Sequence, residues 1–188
     1  MAFLKKNEID AIGFACVGEN VRISDRASIY GAGKIKIGNN VRIDDFCVLS
    51  AGDGGIEIGS YIHIAVFVSL IGAAKIKISD FCNISSRVSI YSSNDDCSGA
   101  ALAGPMISSE FTNVHSAPVL IGRHVIVGSG SVVLPGVRIE EGVAVGAMSF
   151  INKDCDSFGV YFGVPAKRIK DRQRDFLKIE NDFISGKL

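Results

Sequence analysis

Aliphatic side chains recur in this chain every six residues, a spacing that few folds accommodate. Ile23, Ile29 and Ile35 begin the series, followed by Ile37, Ile43 and Leu49, then Ile58, Ile64, Leu70 and Ile76, then Ile78, Ile84 and Ile90. After a break, Ile121, Val127, Val133, Ile139, Val145 and Ile151 keep the step without a gap. Many of these are followed four positions on by a second apolar or small residue, among them Val41, Cys47, Val68, Cys82, Val88, Val125, Ser131 and Val143. A helix repeats every 3.6 residues and a half-buried strand every two, so neither accounts for the pattern. A short strand followed by a turn does, provided each unit stacks on its neighbours to bury what it cannot bury alone.

Three hexads make one coil. Coil starts read IKIG at 35–38, IEIG at 56–59, IKIS at 76–79 and VLIG at 119–122, and Ile139 opens a further one. The separations of 21, 20 and 43 residues between the four motif starts, and of 18 from Ile121 to Ile139, describe an 18-residue coil with small insertions at one corner and one long excursion. First-position aliphatics are expected to stack coil on coil, with Gly at the second position letting the backbone turn. The composition agrees: 188 residues hold 42 Ile and Val against 8 Leu, and 21 glycines where average usage gives about 13. Equal numbers of basic and acidic side chains, 20 each, and no basic stripe argue against a nucleic-acid binder. The opening MAFLKKNEID lacks a signal-peptide apolar stretch and no run is long enough to cross a bilayer, which points to the cytoplasm and no membrane insertion. Five cysteines without a C-x-x-C pair suggest neither a disulfide framework nor a thiolate zinc site. Cys47 and Cys82 read as small inward-facing hydrophobes.

These hexads, together with VIVGSGSVVLPGVRI at 125–139, GVAVGAM at 142–148 and the closing GVPAKRIK at 163–170, resemble the left-handed parallel β-helix acyltransferases, in the sugar-acetylating branch near the galactoside and maltose acetyltransferases. The likeness covers about residues 19–170. It implies an all-β fold, a left-handed parallel β-helix of hexapeptide repeats over 19–154 with a protruding loop at 91–118. Residues 1–18 would cap one end, and 155–188 would form a closing segment with a short C-terminal α-helix. In that segment Phe176, Leu177, Ile179 and Phe183 fit one helical stripe, expected to cover the open C-terminal end. The resemblance further implies a homotrimer with active sites between subunits, where coenzyme A, as acetyl-CoA, lies along the groove, with no metal required.

The loop YSSNDDCSGAALAGPMISSEFTNVHSAP, 28 residues without hexads, is too long for a plain connection and reads as functional. The resembling enzymes hold a catalytic histidine at its root; laid on their pattern, this chain has Asp95 there. Acyl transfer from a thioester needs a base near the attacking atom and a donor for the oxyanion. A hydroxyl needs that base throughout, whereas an amine attacks in its neutral form and must chiefly lose a proton afterwards. Asp95 and Asp96 therefore favour an amino-sugar acceptor, although NDD followed by Ser and Gly is also ordinary turn chemistry. The same run resembles a subgroup acting on nucleotide-linked amino sugars, whose sites pair adjacent acids with a serine of the preceding coil, matched here by Ser85.

Strand alternation points His63 outward, where it would contact the acceptor. His124 at a coil corner and His115 late in the loop are the alternative bases, and would serve O-acetylation of a sugar hydroxyl. Three histidines on a prism also raise the γ-type carbonic anhydrases, but the 63, 115 and 124 spacing does not match their zinc ligands. For coenzyme A, Gly128, Ser129, Gly146 and Ala147 would let the pantetheine arm reach backbone amides, and Lys153, Lys167, Arg168 and Lys170 would meet the phosphates. The leading expectation is an acyl-CoA-dependent transferase acylating the amino group of a nucleotide-linked sugar for surface glycan synthesis. A prism that has lost catalysis and serves as a binding scaffold is the non-enzyme alternative.

Overall fold

Short strands gain stability in a stack only if each inward side chain meets its counterpart one coil away. In the computed structural model, which describes residues 2–186, they do. On the first face Ile37, Ile58, Ile78, Ile121 and Ile139 are successive neighbours in the parallel ladder. The second face stacks Ile23, Ile43, Ile64, Ile84, Val127 and Val145. The third stacks Ile29, Leu49, Leu70, Ile90, Val133 and Ile151. All but Ile29 are buried, and the second-row residues Val41, Cys47, Val68, Cys82, Val88, Val125, Ser131 and Val143 are buried with them. Among the described residues the faces are sheets of six, eight and six strands, wound as a left-handed parallel β-helix of about seven coils. Burial raises the thiols of Cys47 and Cys82 to about 11 and about 12, so both pack as neutral groups.

Most turns between these faces are made by residues other than glycine. Left-handed non-glycine residues at the first-to-second corner are Asn20, Asn40, Tyr61, Phe81, His124 and Phe158, and at the second-to-third Phe46, Phe67, Arg87 and Met148; glycine takes that place in one coil at each corner, at Gly142 and Gly130. Each of the non-glycine residues has φ between 52° and 61°, a region that bulky residues rarely enter. The second-position glycines serve a different purpose. A Cβ on Gly38 would lie 2.7 Å from the carbonyl carbon of Gly59, and one on Gly128 would lie 2.6 Å from that of Gly146. Glycine is needed there because the next coil's backbone is too close, not because φ is unusual.

The third-to-first corner takes every insertion, from the short ones at 52–55 and 73–75 to the arm that begins after the strand Ser89–Tyr91. At the N-terminus the Leu4 amide donates to the Ile23 carbonyl at 2.8 Å. Helix α1 (Lys6–Ile12) then buries Ile9, with the Lys5 amide donating to Glu8 at its start. Paired strands extend past the expected 19–154 on both sides: Cys16–Val17 pairs with Lys36 and Ile37, and Val160 and Tyr161 lie beside Ala144 and Val145. The strand Lys167–Asp171 then folds back antiparallel on Gly159–Phe162. Met1, Lys187 and Leu188 of the expected end segments lie outside the described residues.

Helix α2 (Phe176–Ile184) does not cover the C-terminal end. It lies along the first-to-second corner, with Phe176 against His124 and Phe158, and Phe183 meeting Tyr61 and Phe81 at ring separations of 5.4 and 6.4 Å. The stacked corner aromatics offer it a longer apolar track than the coil end does. Ile179 of the expected stripe is 60% exposed. Ile84→Ala, in the centre of the second-face stack, should therefore cost about 2–5 kcal/mol in denaturant unfolding, whereas Ile179→Ala should stay within about 0.5 kcal/mol of the parent.

Candidate active site

The second-to-third corner gathers Ser85 and the four small residues expected to receive coenzyme A. Coil by coil it presents Ser24–Asp25, Asp44–Asp45, Ala65–Val66, Ser85–Ser86, Gly128–Ser129 and Gly146–Ala147, held in register by amides that each donate to the next coil, as Ser85 does to Val127 at 3.0 Å and Gly128 to Val145 at 2.8 Å. Ser85 thus stands directly before the four small residues expected to receive a pantetheine arm. One position further on, Phe46 and Phe67 stack at 5.0 Å between the guanidinium groups of Arg26 and Arg87. All of this follows from the 18-residue coil: residues far apart in sequence become neighbours at one strand spacing.

His63 faces outward from the second face as alternation requires, flanked by Arg42 and Asn83 in adjacent coils. Its Nε2 lies 2.8 Å from Oδ2 of Asp44, while Arg42 Nε donates to Oδ1 at 2.7 Å. Burial pushes the Asp44 carboxyl upward, but hydrogen bonds from His63 and Arg42 outweigh that and hold it below its ordinary value. Sequence reasoning passed over Asp44. A carboxylate in the column where other coils place Ala65, Ser85 and Gly128 was the available signal.

The arm leaves from the next corner, so Asp95 and Ser85 of one chain are separated by the strand Ser89–Tyr91. At its root Ser93–Asn94 pairs antiparallel with His115–Ser116, which brings His115 from the end of the arm beside Asn94. The two aspartates are not equivalent. Asp96 accepts from the amides of Ser98, Ala100 and Ala101 and from the Ser98 hydroxyl. These bonds, led by the Ser98 hydroxyl, hold its carboxyl below the usual value and make it the organiser of the turn. Asp95 is exposed, and its carboxylate accepts no hydrogen bond among the described residues.

His124 is enclosed rather than open at its corner. Its ring stacks on Phe81 at 5.2 Å, touches Phe176, and bonds Glu180 of α2 at 2.7 Å, while Glu180 also pairs with Arg123. The residue serves to dock the helix. Among the basic residues expected to meet phosphates, Lys153, Lys167 and Lys170 are exposed. Arg168 instead bonds Asp171 at 2.8 Å and the carbonyls of Asp156 and Ser157, tying the closing hairpin together. His63, His115 and His124 occupy the second face, the arm and the helix interface respectively, and so form no common ligand set.

Residues 118–153 match the bacterial transferase hexapeptide family of six repeats, and a relative aligns over 97% of this chain. The chain belongs to the hexapeptide-repeat acyltransferases. That relative is the dTDP-4-amino-4,6-dideoxy-D-glucose acyltransferase of Escherichia coli, 56% identical over 183 residues and covered over 95% of its length. Among solved structures, a serine variant of the N-acyltransferase AntD from Bacillus cereus, in complex with dTDP-4-amino-4,6-dideoxyglucose and coenzyme A, superposes with a TM-score of 0.95 at 48% identity over 98% of both chains. A maltose O-acetyltransferase from Clostridium difficile 630, at 20% identity and TM-score 0.58 over 90% of this chain and 75% of its own, shares the fold.

Replacing Asp96 with Ala leaves the Ser98 and Ala101 amides without their acceptor and the Ala100 amide with only the Ser98 hydroxyl at 3.2 Å. Hydrogen exchange at neutral pH should show lost protection at Ala100 and Ala101. In the parent, a carboxyl with a depressed folded pKa contributes order that is fully present above its ordinary value of 3.8 and is lost as the pH falls below it.

Proposed function

We propose that this protein transfers an acyl group from coenzyme A to the amino group of a nucleotide-linked amino sugar of the dTDP-4-amino-4,6-dideoxyglucose class, for surface glycan synthesis. The observation that carries the reading is near full-length likeness, at about half identity, to an acyltransferase of that sugar and to an N-acyltransferase solved with the sugar nucleotide and coenzyme A together. The second-to-third corner suits these ligands. Coenzyme A runs over Gly128–Ser129 and Gly146–Ala147 with its thioester toward Ser85, and Lys153, Lys167 and Lys170 are available to its phosphates. The acceptor then lies on the N-terminal side, toward His63 and the phenylalanine column.

A homotrimer completes the site. Because Ser85 and Asp95 of one chain stand at different corners, the arm of a neighbouring subunit supplies Asp95 to this corner. Asp95 is the better of the two acids, since Asp96 is committed to its turn. Its carboxylate attracts the acceptor's ammonium and takes one proton, releasing the neutral amine that attacks the thioester carbonyl; a backbone amide binds the oxyanion. Solved structures of AntD include variants of one serine and one aspartate, the same residue types as Ser85 and Asp95. The enzyme works in the cytoplasm, where both co-substrates occur; no helix of the described residues is long and apolar enough to cross a membrane.

Thiol release from acyl-CoA should occur with dTDP-4-amino-4,6-dideoxyglucose and not with its 4-hydroxyl analogue. Turnover of the hydroxyl analogue alone would establish O-acylation, and no turnover with either would exclude the transferase reading. Asp95→Asn should lower kcat/KM at least ~10²-fold at neutral pH, and the deficit should shrink at alkaline pH, where the amine is already neutral.

A further inference from the structure

An ammonium becomes an amide by losing two protons, one before attack and one from the tetrahedral adduct, and Asp95 accounts for the first. We infer that His63, held by Asp44, accepts the second proton, so that the Asp44–His63 pair is a further working element of the acyl-transfer site. This rests on the acyltransferase reading above and assigns a step within it.

Geometry supports the assignment in three ways. Asp44 is buried, with 6% of its side chain exposed, and one of its oxygens faces Nε2 of His63 at 2.8 Å. A buried carboxylate at that distance fixes the neutral imidazole with its proton on Nε2, which leaves the Nδ1 lone pair as the acceptor. The His63 side chain is 43% exposed, so the ring is anchored on one side and open on the other. Its position also fits. Asn83 is its direct partner in the next coil and Ser85 lies two residues beyond, about 8 Å from His63 by strand spacing and rise. His63 is therefore on the acceptor's side of the thioester, not among the coenzyme A residues.

The groups facing the imidazole from the packed coils are Asp44 and Arg42 on one side and neutral Asn83 on the other. Arg42 spans from Asp44 toward the Phe3 ring and, with His63, holds the carboxyl below its ordinary value. In the step itself the amine nitrogen bonds to the thioester carbon. The adduct's N–H proton passes to Nδ1 of His63, the C–S bond breaks, and the departing thiolate takes that proton back. Asp44 is a positioning residue: it sets the tautomer and offsets the imidazolium charge without touching either substrate.

His63→Asn and Asp44→Asn, each in the full-length enzyme, test this alongside the parent. In parent enzyme turning over the amino sugar, the acidic limb of kcat/KM should carry a histidine titration; His63→Asn should abolish that limb and lower kcat/KM by about 10²-fold. Asp44→Asn should retain the limb, with a smaller loss of kcat. Nitrogen-15 NMR of the free enzyme reads the tautomer independently of activity, and the neutral ring should be protonated at Nε2. Parental kcat/KM and pH profile in His63→Asn, beside an active parent, would overturn the proton role while leaving acyl transfer intact. A neutral ring protonated at Nδ1 would overturn it as well.

Discussion

Every element of this protein depends on one requirement, that each 18-residue coil place its strands directly over those of the coil before. Strands of two to five residues carry too few hydrogen bonds and too little apolar surface to persist alone. Stacked in parallel, they exchange backbone hydrogen bonds with the coils above and below, and their Ile, Leu and Val side chains close into continuous columns. The column is unforgiving because a one-residue slip would turn every aliphatic outward. Insertions are consequently confined to one corner, where extra residues loop out without disturbing the register.

The same stacking makes the corners into functional surfaces. One residue per turn must enter the left-handed region, and here it is usually Phe, Tyr, His, Arg or Met rather than Gly. Those side chains project outward in line, one per coil, and form ladders that no single turn could build. The first-to-second ladder is covered by α2 through Phe176, Phe183 and the Glu180 contacts with Arg123 and His124. The second-to-third ladder is not covered by α2, and it borders Ser85 and the small residues Gly128–Ser129 and Gly146–Ala147. One corner is thus closed by the chain's own C-terminal helix and the other is not.

The arm adds the element that the prism cannot supply. A flat-sided solenoid has no deep cleft, so an active site needs a second wall. The hairpin root of Ser93–Asn94 and His115–Ser116, and the turn organised by Asp96, give the arm its own internal order. The acid at the root thus stands one corner away from the serine of the preceding coil.

The six-residue spacing alone determined the coils, the three faces, the inward columns and the extent of the arm, because a local repeat with a steric period admits one way of burying its aliphatics. It also marked Ser85, His63 and the two aspartates as residues outside the packing pattern. What it left open depended on contacts between coils. Asp44 beside His63 is a neighbour at a separation of 19 residues, and His124 beside Glu180 at 56. The sequence could not distinguish an open corner histidine from one clamped under a helix, nor a capped aspartate from an exposed one. Nor could it tell that Gly38 and Gly128 answer to a backbone in the next coil. Those distinctions belong to the tertiary structure, because hydrogen bonds and close approaches across coils are fixed only when the coils have closed on one another.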